Sequence, residues 1–180
     1  MRLALKLHPD SHCAAVSTID VDVAQPRAGT LLLSYVVGGR IDDLRLPPMT
    51  APVRADELWR HTCFEAFLRG GPGDAYCEFN FAPSTQWAAY RFDSYRAGMR
   101  VAEGIGTPMI DVQSAPDRYG LKAALELAHW PHRASWRLGL AAVIEETNGD
   151  KSYWALAHPP GRPDFHHADC FVGQLSYPAD

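Results

Sequence analysis

Trp59–Arg96 reads WRHTCFEAFLRGGPGDAYCEFNFAPSTQWAAYRFDSYR. Three runs within it, Thr62–Arg69, Asp74–Phe81 and Gln86–Asp93, alternate apolar and polar side chains. Two short connectors, Gly70-Gly71-Pro72-Gly73 and Ala82-Pro83-Ser84-Thr85, separate them. Period-two alternation joined by Gly, Pro and Ser predicts a three-stranded antiparallel meander. Taking each connector as a four-residue loop sets a register. Arg69 then faces Asp74, which pairs Phe67 with Tyr76, Glu65 with Glu78 and Cys63 with Asn80. Phe81 likewise faces Gln86, which pairs Asn80 with Trp87 and Tyr76 with Arg91. One face gathers Phe64, Ala66, Leu68, Cys77, Phe79, Phe81, Ala88, Tyr90 and Phe92. The other gathers Glu65, Glu78, Asn80 and Arg91 beside Phe67, Tyr76 and Trp87. A one-residue slip would mix the two sets.

Outward from the meander the same alternation recurs. Arg2–His8 sets Leu3, Leu5 and Leu7 against Ala4 and Lys6, and Val16–Val23 sets Ile19, Val21 and Val23 against Asp20 and Asp22. Thr30–Val37 (TLLLSYVV) is more uniformly apolar, the pattern of a strand buried on both faces. Ile110–Ser114 is a short strand. Tyr119–His129 alternates as a strand, although its many good helix formers make a helix the competing reading. Trp136–Ile144 and Ser152–Ala157 form a hairpin across an Asn148-Gly149 turn, and Phe171–Tyr177 is a last short element. Arg40–Asp56, with three prolines and no period, is a long loop crossing between sheets. Asp56–Arg60 suits one helical turn. Many short strands separated by turn residues predict an all-β antiparallel sandwich, one domain spanning 1–180.

Composition narrows the function. The net charge of −4 gives no electrostatic reason to expect nucleic acid. No apolar run reaches the ~20 residues of a membrane helix. MRLALKLHPDSH lacks the pattern of a signal peptide, so a cytoplasmic location is expected. The four cysteines, Cys13, Cys63, Cys77 and Cys170, have no C-x-x-C spacing, which leaves free thiols in a reducing compartment. The proposed strands put Cys63 and Cys77 on opposite faces. There is no G-x-S-x-G, and the Gly70–Gly73 run joins strand to strand without the Lys-Ser/Thr of a phosphate loop.

Two constellations could carry chemistry. On the mixed face, paired carboxylates repel unless an arginine, a proton, a metal or ligand hydroxyls compensate them. Carboxylate, amide and arginine beside aromatic rings suit a polyol site, and suit an internal polar network equally. Trp59, Glu65, Tyr76, Glu78, Asn80, Trp87, Arg91 and His158 are the candidate ligand-binding residues. In the tail, His158-Pro159-Pro160-Gly161-Arg162-Pro163-Asp164-Phe165-His166-His167-Ala168-Asp169-Cys170, the residues His166, His167 and Asp169 are weak metal candidates. Their spacing matches no zinc pattern, and adjacent histidines on an extended loop point apart.

Tyr76–Arg96 (YCEFNFAPSTQWAAYRFDSYR) and Ser152–Phe171 (SYWALAHPPGRPDFHHADCF) resemble segments of bacterial DOMON-like proteins, in the wider group that includes family 9 carbohydrate-binding modules. The resemblance implies a jelly-roll-like sandwich that binds sugar or haem rather than catalysing a reaction. For a sugar it implies stacking on aromatic rings, here Trp59 and Trp87. For haem, the alternative cofactor, it implies a Met and a His ligand, with Met49 or Met99 opposite His61 or His158. A third reading, a glycosidase using Glu65 and Glu78, follows from the ~5 Å carboxylate spacing that retaining enzymes use. The leading expectation is a non-catalytic module for a small polyhydroxylated ligand.

Overall fold

A computed structural model describes residues 1–71, 73–127 and 135–176. Pro72, the Ala128–His129 end of the expected fourth long strand and Tyr177 lie outside the described residues. In chain order the strands are β1 (Arg2–Leu7), β2 (Val16–Ala24), β3 (Thr30–Gly39), β4 (Cys63–Gly70), β5 (Tyr76–Phe81) and β6 (Trp87–Phe92). They continue as β7 (Arg100–Val101), β8 (Met109–Ala115), β9 (Arg118–Glu126), β10 (Ser135–Glu145), β11 (Lys151–Ala155) and β12 (Gly173–Ser176).

All the strand pairs are antiparallel. One layer runs β8-β9-β3-β2-β1 and the other β7-β6-β5-β4-β10-β11. β1 belongs to both layers. Arg2–Leu5 pairs with β2, while Lys6 and Leu7 pair with Ala155 and Trp154 of β11. β12 pairs with the opening residues of β10, Ser135–Leu138, beside the stretch that β11 takes further on. The result is a curled antiparallel β-sandwich, as the alternation predicts. Tyr119–Glu126 is strand, not helix: Tyr119, Leu121, Ala123 and Leu125 turn inward and Lys122 outward.

Ile19, Val21, Val23, Leu31, Leu33, Tyr35 and Val37 of the first layer meet Phe64, Ala66, Leu68, Phe79, Phe81, Leu138, Leu140 and Ile144 of the second. Each large side chain removed from water there contributes roughly 1.5–3 kcal/mol. β3 departs from the expectation of burial on both faces. Leu32 is exposed, and Ser34 and Val36 are only half-buried, because no further layer of the described residues covers that side. The hairpin between β10 and β11 closes as predicted, with Gly149 at φ 92° and the Glu146 N–H donating to the Asp150 carbonyl.

The second layer has an outer core as well. Phe67, Tyr76, Ala88, Tyr90, Phe92, Ala141 and Val143 project away from the first layer and are covered by Phe165, Cys170 and Phe171 of the tail and by Leu58. The tail is therefore a strap across this face, not a free loop. The Arg40–Asp56 crossover is held by strand-like contacts. The Arg45 N–H donates to the Glu145 carbonyl, and the Ala55 N–H and Trp87 carbonyl pair likewise. The expected helical turn is the 3-10 turn Leu58–Arg60.

Both expected registers in the meander are corrected. β4 continues through Gly70, and the β4–β5 pairing is displaced by two residues. Glu65 faces Asn80, not Glu78, and Glu78 faces Phe67. A two-residue displacement keeps each side chain on its expected face. The β5–β6 pairing is displaced by one, so Phe81 faces Trp87, Asn80 faces Ala88, Glu78 faces Tyr90 and Tyr76 faces Phe92. The connector is a three-residue loop, Pro83-Ser84-Thr85. The Ala82 N–H bonds to the Gln86 carbonyl, and Thr85 stands at φ 71°. That single residue reverses β6: Ala88, Tyr90 and Phe92 join the polar face, and Trp87, Ala89 and Arg91 leave it.

Candidate functional site

The site is built from cross-strand rows on the outer face. Ala88, Asn80, Glu65, Ala141 and Ala155 lie side by side across β6, β5, β4, β10 and β11. Tyr90, Glu78, Phe67 and Gly139 form the adjacent row. Period-two geometry puts Glu78 and Asn80 on one side of β5, and the register brings Glu65 against them. All three are buried, with Glu65 3%, Glu78 5% and Asn80 0% exposed.

Their hydrogen bonding is incomplete. Asn80 Nδ2 donates to Glu78 Oε1 at 2.7 Å, but Asn80 Oδ1 is buried without a partner. No side-chain hydrogen bond among the described residues reaches the Glu65 carboxyl. Glu78 Oε2 lies 3.8 Å from His166 Nε2, too far for a hydrogen bond. Burial, and then the neighbouring Glu78 charge, raises Glu65 well above the ordinary carboxylate range. Burial likewise pushes Glu78 up to about 7, although the Asn80 hydrogen bond and Arg96 pull the other way. Burial and the like charge of its neighbour both favour the protonated form of Glu65.

His166 enters from the strap. Its Nδ1 lies 2.7 Å from the Tyr76 hydroxyl, and the Arg96 N–H donates to that same oxygen at 3.3 Å. Where the hydroxyl donates to Nδ1, the ring proton is on Nε2, toward Glu78. Burial, followed by the Arg96 charge, lowers His166 to about 4, so the ring is neutral. Its edge meets Phe67, Tyr76 and Phe92 at centroid distances of 5.3, 5.8 and 5.1 Å.

Between the end of the meander and the strap lies an open groove of roughly 430 Å³, lined by Tyr95, Arg96, Arg162, Asp164, His167 and the prolines 159, 160 and 163. Arg96 Nε and Nη2 donate to Asp164 Oδ1 at 3.2 and 2.8 Å, and the Tyr95 hydroxyl donates to Asp164 Oδ2 at 2.5 Å. Burial works against the Asp164 charge, but these donors hold the carboxyl below its ordinary value. The Asp164 carboxylate also accepts the His166 N–H. One carboxylate thus ties the end of the meander to the strap and fixes His166. Arg96 reaches this position by turning back at φ 52°.

The expected site residues divide into three groups. Tyr76, Glu65, Glu78 and Asn80 come together. Trp59 is 47% exposed on the 3-10 turn, with the Arg60 guanidinium 5.5 Å from its ring centroid. Trp87 and Arg91, expected on the polar face, point the other way. Trp87 is 2% exposed, donates from Nε1 to the Pro52 carbonyl and carries the Arg54 guanidinium 4.0 Å from its ring centroid. It clamps the crossover loop. Arg91 is exposed beside Arg100 of β7. His158 binds the Lys6 carbonyl and packs on His8, at the β1 edge.

Of the metal candidates, His166 points inward, while His167 points outward and accepts the Asp169 N–H. No metal-holding cluster of His, Cys, Asp and Glu is found among the described residues. Met49 and Met99, the haem-ligand candidates, are exposed in loops, and His61 Nδ1 contacts Glu145 at 2.6 Å. The directly opposed pair expected for the glycosidase reading is corrected: Glu65 faces Asn80, and Glu78 stands in the adjacent row. Tyr95, Arg96 and Asp164 were not legible as site residues, because their meeting depends on where the strap crosses. The nearest sequence signal is a Tyr-Arg pair directly after an alternating strand.

No protein-family model matches the sequence, and no curated protein is similar to it. Solved structures share the architecture. A protein from Bacteroides uniformis named a "putative carbohydrate-binding protein" superposes with a TM-score of 0.65 at 15% identity, over 99% of this chain and 86% of the other. A family 9 carbohydrate-binding module from Caldicellulosiruptor kristjanssonii, in complex with glucose, gives 0.53 at 11% identity over 98% and 85%. A family 9 module from the same organism in complex with cellotriose gives 0.54 at 10% identity over 96% and 81%. At these identities the likeness is one of fold: this chain has the β-sandwich of the family 9 carbohydrate-binding modules.

Proposed function

We propose that this protein is a non-catalytic carbohydrate-binding module of the DOMON-like kind, taking a small sugar or related polyol at the strap side of the second layer. The observation that carries the reading is the buried Asn80 Oδ1, left without a donor beside Glu65 and Glu78, with Tyr76 and His166 linking this group to Arg96 at an open groove that has an exposed tyrosine at its wall. Buried acceptors without donors cost about 1–3 kcal/mol each, and ligand hydroxyls remove that cost. The Tyr95 ring offers a flat surface for a sugar's C–H face, while Arg96, Arg162 and His167 supply donors at the rim. The sugar-bound modules with the same fold support the choice of ligand class. Trp59 offers a second exposed ring, suited to a longer ligand that crosses the face.

Calorimetric titration with glucose, cellobiose, cellotriose and a panel of other sugars tests the reading. Binding that weakens about tenfold in Tyr95→Ala and in Glu78→Gln is expected. Absence of binding across the panel, or binding indifferent to both substitutions, would falsify it.

A further inference from the structure

The charged side chains that line the groove between the meander and the strap differ in what they leave for a ligand. Asp164 leaves nothing. Its Oδ1 accepts from Arg96 Nε and Nη2 and from the His166 N–H, and its Oδ2 accepts from the Tyr95 hydroxyl. These four donors fill the roughly four lone-pair sites of a carboxylate. Arg162 is the opposite case. It lines the same groove, is exposed, and makes no hydrogen bond or ion pair through its side chain among the described residues. His167 Nδ1 accepts the Asp169 N–H at 3.3 Å, so the neutral ring carries its proton on Nε2 as a further donor. The prolines of the lining have no N–H to add.

The one carboxylate of the groove is therefore spent, while a whole guanidinium fork stands open. Arg96 and Arg162 against Asp164 leave an excess of positive charge there, in a chain whose net charge is −4. Asp169, the nearest other acid to His167, stands 3.5 Å from Nδ1 and is not part of the lining.

Resting on the proposed carbohydrate-binding reading, we infer that the ligand is an acidic sugar, a uronate whose carboxylate pairs with Arg162 while its ring lies in the groove at Tyr95. A guanidinium meets both oxygens of a carboxylate with two parallel N–H donors, and these charge-assisted bonds are about twice as strong as neutral ones. A neutral sugar offers the same fork single hydroxyl oxygens, and finds the Asp164 carboxylate already filled when its own hydroxyl hydrogens need an acceptor. The groove is open to water, so the pairing is screened and the preference it confers falls with salt.

The test is calorimetric titration of glucuronate and galacturonate against their neutral parents, glucose and galactose, with glucose 6-phosphate as a third arm. At low ionic strength a uronate is expected to bind about fivefold more tightly than its parent, and the ratio should approach one in 0.5 M sodium chloride, about a threefold shorter screening length than at physiological salt. Arg162→Gln should bring the ratio to about one at low salt as well, and Arg162→Lys, which keeps the charge without the fork, should retain part of it. Equal binding of acid and parent, or a preference that survives Arg162→Gln, overturns the inference while leaving sugar binding intact. A stronger preference for glucose 6-phosphate than for either uronate overturns the assignment to a carboxylate. Binding of none of these sugars removes both readings.

Discussion

Glu78 carries a consequence at the scale of a single residue. Its carboxyl rises from 4.5 to about 7 on folding, so between those values the folded state holds the proton that the unfolded state has lost. Stability from this group is greatest below pH 4.5 and declines as pH rises toward 7, by on the order of 3 kcal/mol for a shift of that size. His166 acts in the opposite sense. Lowered from 6.5 to about 4, it adds stability as pH rises between those values. Glu78→Gln removes the first slope and keeps the second. Urea denaturation at pH 5 and pH 8 should therefore show the variant gaining on the wild type at the higher pH. An unchanged difference at the two pH values would show that Glu78 ionises freely in the folded protein.

At the scale of an element, the strap is the part whose removal is easiest to picture. Phe165 and Phe171 fill the outer core, the Arg137 guanidinium donates to the Phe171 carbonyl at 3.0 Å, and Asp164 ties the strap to Tyr95 and Arg96. Phe171 is 2% exposed against Phe67 and Tyr76. Phe171→Ala should cost roughly 3–5 kcal/mol by denaturant unfolding, and should open residues 158–171 to protease while the β10–β11 hairpin stays protected. A loss below about 1 kcal/mol would mean that the Phe171 ring is not what holds the strap. The β5–β6 loop shows how little local sequence separates two outcomes at this scale. Reading four connector residues or three differs by one position, yet that position decides which of Trp87 and Tyr90 reaches the polar face. Thr85 at φ 71° closes the shorter loop, a conformation β-branched residues rarely adopt, so nothing in Ala82-Pro83-Ser84-Thr85 announces it.

Over the whole molecule, the two cores and the bridging β1 leave different thiols in different places. Cys63 lies on the outer side of β4 and Cys77 on the inner side of β5, as the strand pattern requires, and Cys170 is buried on the strap itself. Burial raises Cys63 well above its ordinary value and pushes Cys77 and Cys170 up to about 12, so neither access nor thiolate is available. Cys13 is the half-buried one. A chromogenic disulfide reagent should therefore titrate one thiol quickly in the native protein and four in urea. Rapid reaction of Cys170 as well would show that the strap opens on its own.

The sequence by itself determined the sandwich. Side chains at period two must face opposite sides of a strand, so the alternation in Val16–Val23, Tyr119–Leu125 and Trp136–Ile144 named the strands and their buried faces without reference to any partner. The same parity placed Glu65, Glu78 and Asn80 on one face, since each sits at a fixed phase within its own strand. Which residue stood opposite which was decided only by the tertiary structure. Register depends on where a turn closes, and it turned an opposed carboxylate pair into a carboxylate facing an amide. The strap was also beyond local reading. His166 and Asp164 meet Tyr76 and Arg96 across 68 to 90 positions of chain. Contacts at that separation are set by the packing of apolar side chains around them, here Phe165 and Phe171 in the outer core, and leave no trace in the spacing of the polar residues they bring together.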